Sequence, residues 1–201
     1  LRAIQDDVIA MGDMVMKAIS RSVEALKERD MEAANLIITG DARINSKRFA
    51  IEDKCVQLIA TQQPMAGDLR AIIGVLNIIT EIERIGDHAG GIAKIVIMIG
   101  DEPPLKPLVD IPRMAELVNE MLRSSLDALL NKDAEAARAI AARDDEVDQL
   151  YDQVFRELLL FMIEDPKTVT RATRLIWVAH NLERSADRVT NICERIVYMA
   201  T

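Results

Sequence analysis

Apolar residues recur at intervals of three and four along almost the whole chain, which is the spacing of amphipathic α-helices. Segment 1–29 repeats them at Ile4, Val8, Met11, Val15 and Ile19. Asp30 is placed to cap a second helix that runs to about residue 61, and the break near residue 64 precedes a third helix over about 67–99. The first hundred residues therefore predict three long helices.

The segment 100–112 contains four prolines and few helix-forming residues, so we predict a connection there. The predicted units are residues 1–100 and 113–201, with 101–112 as the linker between them. In the second half, Asp110, Asp133 and Asp165 each precede an apolar-periodic segment, and we predict each as an N-cap. Pro166 follows Asp165 at a first helical position. The pattern predicts six helices in total.

The two halves of the chain resemble each other. Residues 30–34 (DMEAA) match 133–137 (DAEAA), and 41–45 (DARIN) match 144–148 (DDEVD), both at an offset of 103. Residues 83–87 (ERIGD) match 183–187 (ERSAD) at an offset of 100. The expected fold is all-α, with two tandem, pseudo-symmetric three-helix bundles related by an approximate two-fold. A single six-helix bundle is the alternative architecture.

Composition narrows the class of protein further. Half of the residues are apolar and only 3% are aromatic, which suits a helical core of Ala, Leu, Ile and Met. The net charge of −8 disfavours nucleic-acid binding and is compatible with binding cations. No uncharged apolar run is long enough to cross a membrane. Cys55 and Cys193 are expected as buried free thiols. Because the chain begins at Leu1, we expect further residues to precede it.

Acidic or amide side chains lie four residues apart on four of the predicted helices, and this spacing places each pair on one helix face. They continue stripes that are otherwise partly apolar, so folding would bring several carboxylates together out of water, where a cation would relieve their repulsion. Oxygen ligands of this kind suit Mg²⁺, Ca²⁺ or Mn²⁺ and also hold Fe or Zn. The candidate ligands are Asp41, Asn45, Glu83, Asp87, Asp144, Asp148, Glu183 and Asp187.

A simpler interpretation of the same residues stays open. Acids four apart are common on solvated helix faces, and Arg84 and Arg184 stand next to two of the pairs as neutralising partners. His88 and His180 do not correspond between the halves, so we predict packing or surface roles for them rather than metal ligation. The repetition of the acids in both halves is what favours a site.

Sequence motifs for common enzymes are missing. The chain has no phosphate-binding glycine loop, no dinucleotide fingerprint, no nucleophile elbow and no HExxH zinc motif. This favours a protein without chemistry of its own. A metal-dependent hydrolase or oxidase that uses the carboxylates is the competing hypothesis.

The chain resembles the PhoU family over essentially its whole length. The resemblance rests on segment 63–70 (QPMAGDLR) followed by 83–87, on 183–193 (ERSADRVTNIC), on the two helix-two segments 41–45 and 144–148, and on Met11-Gly12. Asn45 departs from the fully acidic pattern and lowers the charge of the first site. Gly91 likewise stands where the second repeat has Asn191.

The resemblance implies a fold of two three-helix bundles and a negative regulator of the phosphate regulon. It implies a cytoplasmic protein that is associated with membrane complexes through its partners. These are the cytoplasmic ATPase subunit of the phosphate ABC transporter and a membrane sensor histidine kinase. It also implies binding of divalent or trivalent ions (Fe, Mn, Mg, Zn or Ni) by the eight candidate residues. A homodimer is left open, and neither nucleic-acid binding nor direct membrane insertion is expected.

Overall fold

The structure is a computed structural model and describes residues 2–200. This part of the chain forms seven α-helices and one short 3₁₀ helix, and it contains no strand. The helices are α1 (Arg2–Glu28), α2 (Met31–Gln62), α3 (Ala66–Ile99), α4 (Asp110–Asn131), α5 (Ala134–Ala141), α6 (Asp144–Glu164) and α7 (Val169–Ala200), with the 3₁₀ helix at Pro166–Thr168.

Helices α3 and α7 form the centre of the molecule. Helices α1 and α2 pack against α3, while α4, α5 and α6 pack against α7. The two central helices also pack against each other, so both halves share one continuous apolar core. Ile79 and Ile82 of α3 and Leu182 of α7 are fully buried or nearly so, and each such side chain contributes about 2 kcal/mol of hydrophobic stabilisation. The predicted all-α fold of two three-helix bundles is confirmed.

The turn between the first and second helices has the same conformation in both repeats. Arg29 and Lys132 both adopt left-handed backbone conformations, with φ of 57° and 53°. Asp30 and Asp133 follow them with extended conformations that agree within a few degrees. Each aspartate accepts a hydrogen bond of 2.9 Å from the backbone N–H three residues later. The predicted N-caps at these two positions are therefore confirmed.

The predicted N-cap at Asp110 is wrong. Asp110 is the first residue of α4, and Val109 occupies the cap position without a side-chain hydrogen bond. The non-helical connection therefore ends at Val109, and residues 110–112 already lie in α4. Pro112 falls in the first turn, where a missing N–H leaves no helical hydrogen bond unmade.

The middle helix of the second repeat is interrupted, whereas the sequence predicted one continuous helix. Ala142 and Arg143 separate α5 from α6, and Arg143 donates its N–H to Ile140 rather than to the residue four before it. At the matching place in the first repeat, α2 runs through Gly40 without a break. Neither a proline nor a glycine marks the interruption, so local sequence rules do not detect it.

Asp165 caps a shorter element than predicted. Its side chain accepts the N–H of Lys167, with Pro166 at the first position of a 3₁₀ helix rather than of α7. Thr168 is buried and donates its hydroxyl to the carbonyls of Phe161 and Asp165. These hydrogen bonds thus give partners to backbone carbonyls at the end of α6 before α7 begins at Val169.

The connection between the repeats is held against the helices by cations. Gly100 ends α3 with a φ of +56°, which favours glycine. Arg171 donates to the carbonyl of Pro103 at 3.2 Å, and Arg174 pairs with the Glu102 carboxylate at 3.2 Å. Leu105 and Leu108 pack against the core.

Polar side chains cross the contact between α3 and α7. The Glu81 carboxylate accepts hydrogen bonds from Arg188 at 3.3 Å and from Asn191 at 3.1 Å. At the pseudo-symmetric place, Asn181 lies against Gly91, where an added Cβ would be 2.8 Å from the Asn181 Oδ1. Gly91 therefore leaves room for a polar side chain of the other repeat, which accounts for the glycine where the second repeat has Asn191.

Cys55 and Cys193 are buried and free, as predicted. Burial raises the pKa of the Cys193 thiol to about 12, so this group stays protonated at neutral pH. Within residues 2–200, no helix combines the length and the apolar character that crossing a membrane requires.

The capping geometry generates a stability prediction. Replacing Asp30 or Asp133 by alanine removes an N-cap hydrogen bond, and each change should lower the free energy of unfolding by about 1 kcal/mol. The melting temperature should fall by about 2–4 °C in a chain of this size. Asp110→Ala is the matched control: its side chain makes no cap bond, so its loss should stay below about 0.5 kcal/mol. Equal losses for all three variants would contradict this assignment.

Candidate functional site

The eight predicted ligands form two separate groups, one in each repeat. The first acidic cluster lies on α2 and α3, and the second lies on α6 and α7. In both clusters the carboxylates of the two helices influence each other's protonation, so folding does bring together the pairs that lie far apart in sequence. The first acidic cluster is Asp41, Asn45, Glu83 and Asp87; the second acidic cluster is Asp144, Asp148, Glu183 and Asp187.

Asp144 is the most perturbed group of the second acidic cluster. Burial raises its pKa to about 6, and the negative charges of Asp148, Asp187 and Glu183 add to the rise. Burial also raises the pKa of Glu183, with Asp187 as the next cause. A carboxyl group loses solvation when it is buried and is repelled by like charges, so both effects favour its protonated form.

Several carboxylate oxygens in the clusters have no hydrogen-bond donor within residues 2–200. Asp144 Oδ1 and Glu183 Oε2 are buried and accept no hydrogen bond, and the same holds for Asp41 Oδ1 in the first acidic cluster. Glu183 Oε2 lies 3.3 Å from Nδ1 of the exposed His180. Buried oxygens without donors are uncommon in folded proteins, and a bound cation is one of the ways in which they are satisfied.

The first acidic cluster contains its own cation. Arg48 Nη1 lies 3.6 Å from Glu83 Oε2. Burial and Asp87 raise the pKa of Glu83, whereas Arg48 opposes that rise. Asn45 donates its amide to Asp41 Oδ2 at 3.3 Å. The first site is therefore partly neutralised by side chains of the protein itself.

Arg48 was missed by the sequence analysis, which considered Arg84 and Arg184 as neutralising partners. Arg84 pairs with Glu81 at 2.9 Å, and within residues 2–200 neither Arg84 nor Arg184 lies within ion-pair distance of either cluster. The signal in the sequence was the spacing, because Arg48 follows Asn45 by three residues and so shares its helix face.

Tyr151 takes the place of Arg48 in the second repeat, at the same offset of 103. Its ring lies 6.1 Å from that of His180 and 6.4 Å from that of Phe155. In the described part of the chain, no lysine or arginine lies within ion-pair distance of the second acidic cluster. The two clusters thus differ in charge: the first has an arginine within ion-pair distance, whereas among the described residues the second has only His180 and the more distant Arg184, whose charges oppose the rise in the pKa of Glu183.

The carboxylates do not converge on a single point. Among residues 2–200, no group of three or more His, Cys, Asp or Glu side chains has a geometry that would hold a metal ion. Asp87 and Asp148 are exposed, whereas the other members of both clusters are half-buried. Binding a cation would therefore require the exposed carboxylates to turn towards their partners.

The histidines do not join either cluster as a convergent ligand. His88 lies in α3, and burial lowers its pKa to about 4, with the Arg184 charge as the next cause. His180 is exposed on α7 beside Glu183. That they have packing or surface roles rather than ligating a metal stays a prediction.

Comparison with known proteins follows the same two-repeat division. A family model described as the PhoU domain matches residues 8–96 and 111–196. The phosphate-specific transport system accessory protein PhoU homolog of Aquifex aeolicus is 40% identical over 200 residues, which cover 100% of this chain and 90% of the relative. The protein of the same name from Clostridium acetobutylicum is 39% identical over 202 residues, covering 100% and 92%.

Solved structures match over the whole fold. The crystal structure of PhoU from Pseudomonas aeruginosa aligns with a TM-score of 0.92 at 34% identity, covering 99% of this chain and 96% of that one. The phosphate transport system regulatory protein PhoU from Streptococcus pneumoniae aligns with a TM-score of 0.91 at 32% identity, covering 100% and 94%. These matches confirm the resemblance drawn from the sequence motifs: the chain belongs to the PhoU family.

Proposed function

We propose that this protein is a cytoplasmic regulatory adaptor of phosphate transport and a negative regulator of the phosphate regulon. Its proposed partners are the ATPase subunit of the phosphate ABC transporter and the cytoplasmic part of a sensor histidine kinase. The observation that carries the proposal is the match of both repeats, over the whole chain, to relatives named as accessory and regulatory proteins of phosphate transport. Those names favour the adaptor over the competing hydrolase or oxidase.

The adaptor role predicts direct binding. Purified protein should bind the transporter ATPase and the cytoplasmic part of the kinase with dissociation constants of about 10 μM or lower, measured by isothermal titration calorimetry. The measurement is made with metal-free and metal-loaded protein, so that a requirement for the ion is visible. Absence of binding to both partners in both states would contradict the role.

We also propose that the acidic clusters bind divalent or trivalent metal ions. The donor set fits such ions, because carboxylates that raise one another's pKa and buried oxygens without donors both gain from a nearby positive charge. Asp144, Asp148, Glu183 and Asp187 would hold the ion in the second repeat, and Asp41, Asn45, Glu83 and Asp87 in the first. A bound ion would supply positive charge and would link the two helices that carry its ligands.

The charge difference between the clusters predicts unequal occupancy. Arg48 and Asn45 already reduce the negative charge at the first acidic cluster, so the second should bind a cation more tightly. The double variant Glu183→Ala and Asp187→Ala should therefore lose most of the bound metal, measured by elemental analysis after dialysis against Mn²⁺ or Zn²⁺.

The matched control for this experiment is Glu83→Ala with Asp87→Ala, which removes the same two residue types from the first repeat. It should lose less metal than the variant of the second repeat. Unchanged metal content in the Glu183/Asp187 variant would remove the second acidic cluster as a metal site, while leaving the adaptor role in place.

The electrostatics of Asp144 predict a pH-dependent stability. Folding raises its pKa from 3.8 to about 6, so the folded protein binds more protons than the unfolded chain between these values. Stability is therefore lost as the pH rises through this window, and the loss is complete above pH 6. In the presence of a chelator, Asp144→Asn should stabilise the protein at pH 7.5 by about 1 kcal/mol, after allowing for solvent screening of this half-buried group.

The gain should appear as a rise of about 2–4 °C in the melting temperature at pH 7.5 and should shrink towards pH 4. Asp53→Asn, an exposed substitution on α2, is the control and should change little at either pH. A lower melting temperature for Asp144→Asn at pH 7.5 would show that its charge is stabilised rather than repelled.

A further inference from the structure

A groove runs between α1 and α2 of the first repeat, and none of the eight candidate ligands lines it. Its volume is about 710 Å³, and its apolar lining includes Met14, Ala18, Leu36 and Ile37. Leu36 is 68% exposed, so the groove leaves a large apolar side chain in water. The α1 residues that line it span 14–28, which corresponds to about 21 Å of helix.

One end of this groove is basic. Lys17, Arg21 and Arg43 line it, and Arg123 joins Lys17 and Arg21 around an adjoining cleft of about 290 Å³, whose acidic lining residue is Asp13. Within residues 2–200, none of these four side chains has an acid within ion-pair distance. The chain carries 33 acidic and 25 basic side chains, so four neighbouring cations without a partner stand out against an excess of available acids.

In the second repeat, an arginine of the protein itself occupies the place that corresponds to this end of the groove. Arg143 donates to Glu120 of α4 at 3.0 Å and to Glu146 at 3.1 Å. The hydrogen bond to Glu120 is the largest cause of a raised pKa of Arg143. This bridge joins α4 to the start of α6 at the interruption after α5, across the space that corresponds to the groove.

The offset of 103 relates these residues to the groove. Lys17 corresponds to Glu120, Gly40 to Arg143 and Arg43 to Glu146. The offset holds in the structure, since the buried Ser22 and Ser125 at matched positions each donate to the carbonyl three residues earlier.

In the first repeat, the cations Lys17 and Arg43 therefore stand where the second repeat has two glutamates. Gly40 stands where the second repeat has the arginine that joins them. A Cβ added to Gly40 would have nothing within 4 Å. The space between Lys17 and Arg43 lacks the group that joins their counterparts, and the reversed charges call for an anionic group there.

We propose that this groove binds an acidic amphipathic helix of a partner protein, with one of its carboxylates between Lys17 and Arg43 where Arg143 lies between Glu120 and Glu146. A helix laid along α1 and α2 would bury Leu36 and the apolar floor, in the manner of helix-in-groove recognition. The floor of the groove is apolar along most of its length, so it offers an inorganic anion few polar contacts. The geometry therefore favours a carboxylate that is carried by a helix with an apolar face. This deepens the proposed adaptor role by naming a docking surface, and it does not depend on the acidic clusters.

The other end of the groove sets the direction of the helix. Glu24, Glu28 and Asp30 line that end, and Glu28 lies about 16 Å along α1 from Lys17. A bound helix of three turns would therefore carry its acidic residue near Lys17 and a basic residue about eleven positions away, near Glu28. A helix docked in the reverse direction would place like charges together at both ends.

A charge-swap experiment tests the proposal. The probe is a fluorescent 18-residue helical peptide with leucines at i, i+4, i+7 and i+11, a glutamate pair at one end and a lysine near the other. Its binding is measured by fluorescence anisotropy against the full chain. Lys17→Glu with Arg43→Glu should weaken binding at least tenfold. A twin peptide with lysines in place of the glutamate pair should bind this variant at least tenfold more tightly than it binds the wild type.

Two further variants sharpen the result. Arg156→Glu with Lys167→Glu changes the net charge equally on exposed positions outside the groove and should leave the affinity for the acidic peptide unchanged. Adding Gly40→Arg to the Lys17→Glu, Arg43→Glu variant should rebuild the bridge seen at Arg143 and abolish binding of the lysine twin. Circular dichroism and melting temperature confirm that each variant is folded.

The proposal fails if the acidic peptide binds the wild type and the Lys17→Glu, Arg43→Glu variant equally, or if the lysine twin gains no affinity for that variant. It also fails if a peptide with its leucines replaced by glutamine binds as tightly as the original. Binding of the transporter ATPase and the kinase by the same variants separates the two proposals. Loss of peptide binding with both partners retained would overturn the groove as their docking surface, whereas peptide binding without either partner would overturn the adaptor role alone.

Discussion

Helices α3 and α7 bury apolar faces against each other across the middle of the molecule, and every other helix packs onto one of these two. The eight candidate ligands depend on this arrangement, because α3 and α7 each carry one acidic pair and hold it against the middle helix of their own repeat. Carboxylates held in this way lose water on one side and face like charges on the other. The candidate site is therefore a consequence of how the core packs.

The two repeats share their first corner and the order of their helices, while their charges and the continuity of their middle helices have diverged. The corners at Asp30 and Asp133 agree in backbone conformation and in capping bond. At the acidic clusters, the place of Arg48 is taken by Tyr151, which changes the net charge of the site. Single side chains on a shared scaffold can thus give two similar sites different affinities for a cation.

The outer surfaces of the two repeats also differ in charge, and here it is the first repeat that has charges without partners in the described part of the chain. The second repeat satisfies its Glu120 and Glu146 internally, and its middle helix is interrupted where Arg143 joins them. The first repeat keeps a continuous helix, a glycine in place of that arginine, and cations that have no acid within ion-pair distance among residues 2–200. In the second repeat the protein's own Arg143 joins these charges, and in the first repeat the corresponding place is open.

The amino-acid sequence by itself determined the helical class, most of the helices, the duplication, the caps at Asp30 and Asp133 and the choice of the eight candidate ligands. These features depend on contacts within one or two helical turns, or on a repeat that is visible by direct comparison. The cap at Asp110 was predicted wrongly because the local rule cannot see that the preceding connection is drawn onto the core through Leu108.

Only the tertiary structure decided that Arg48 reaches Glu83, that Arg143 reaches Glu120, and that Lys17 and Arg43 line the same groove. These contacts join helices whose residues lie more than twenty positions apart in the chain. Their existence depends on how the helices pack around α3 and α7, and helix periodicity carries no information about which charged side chain will meet which across that packing.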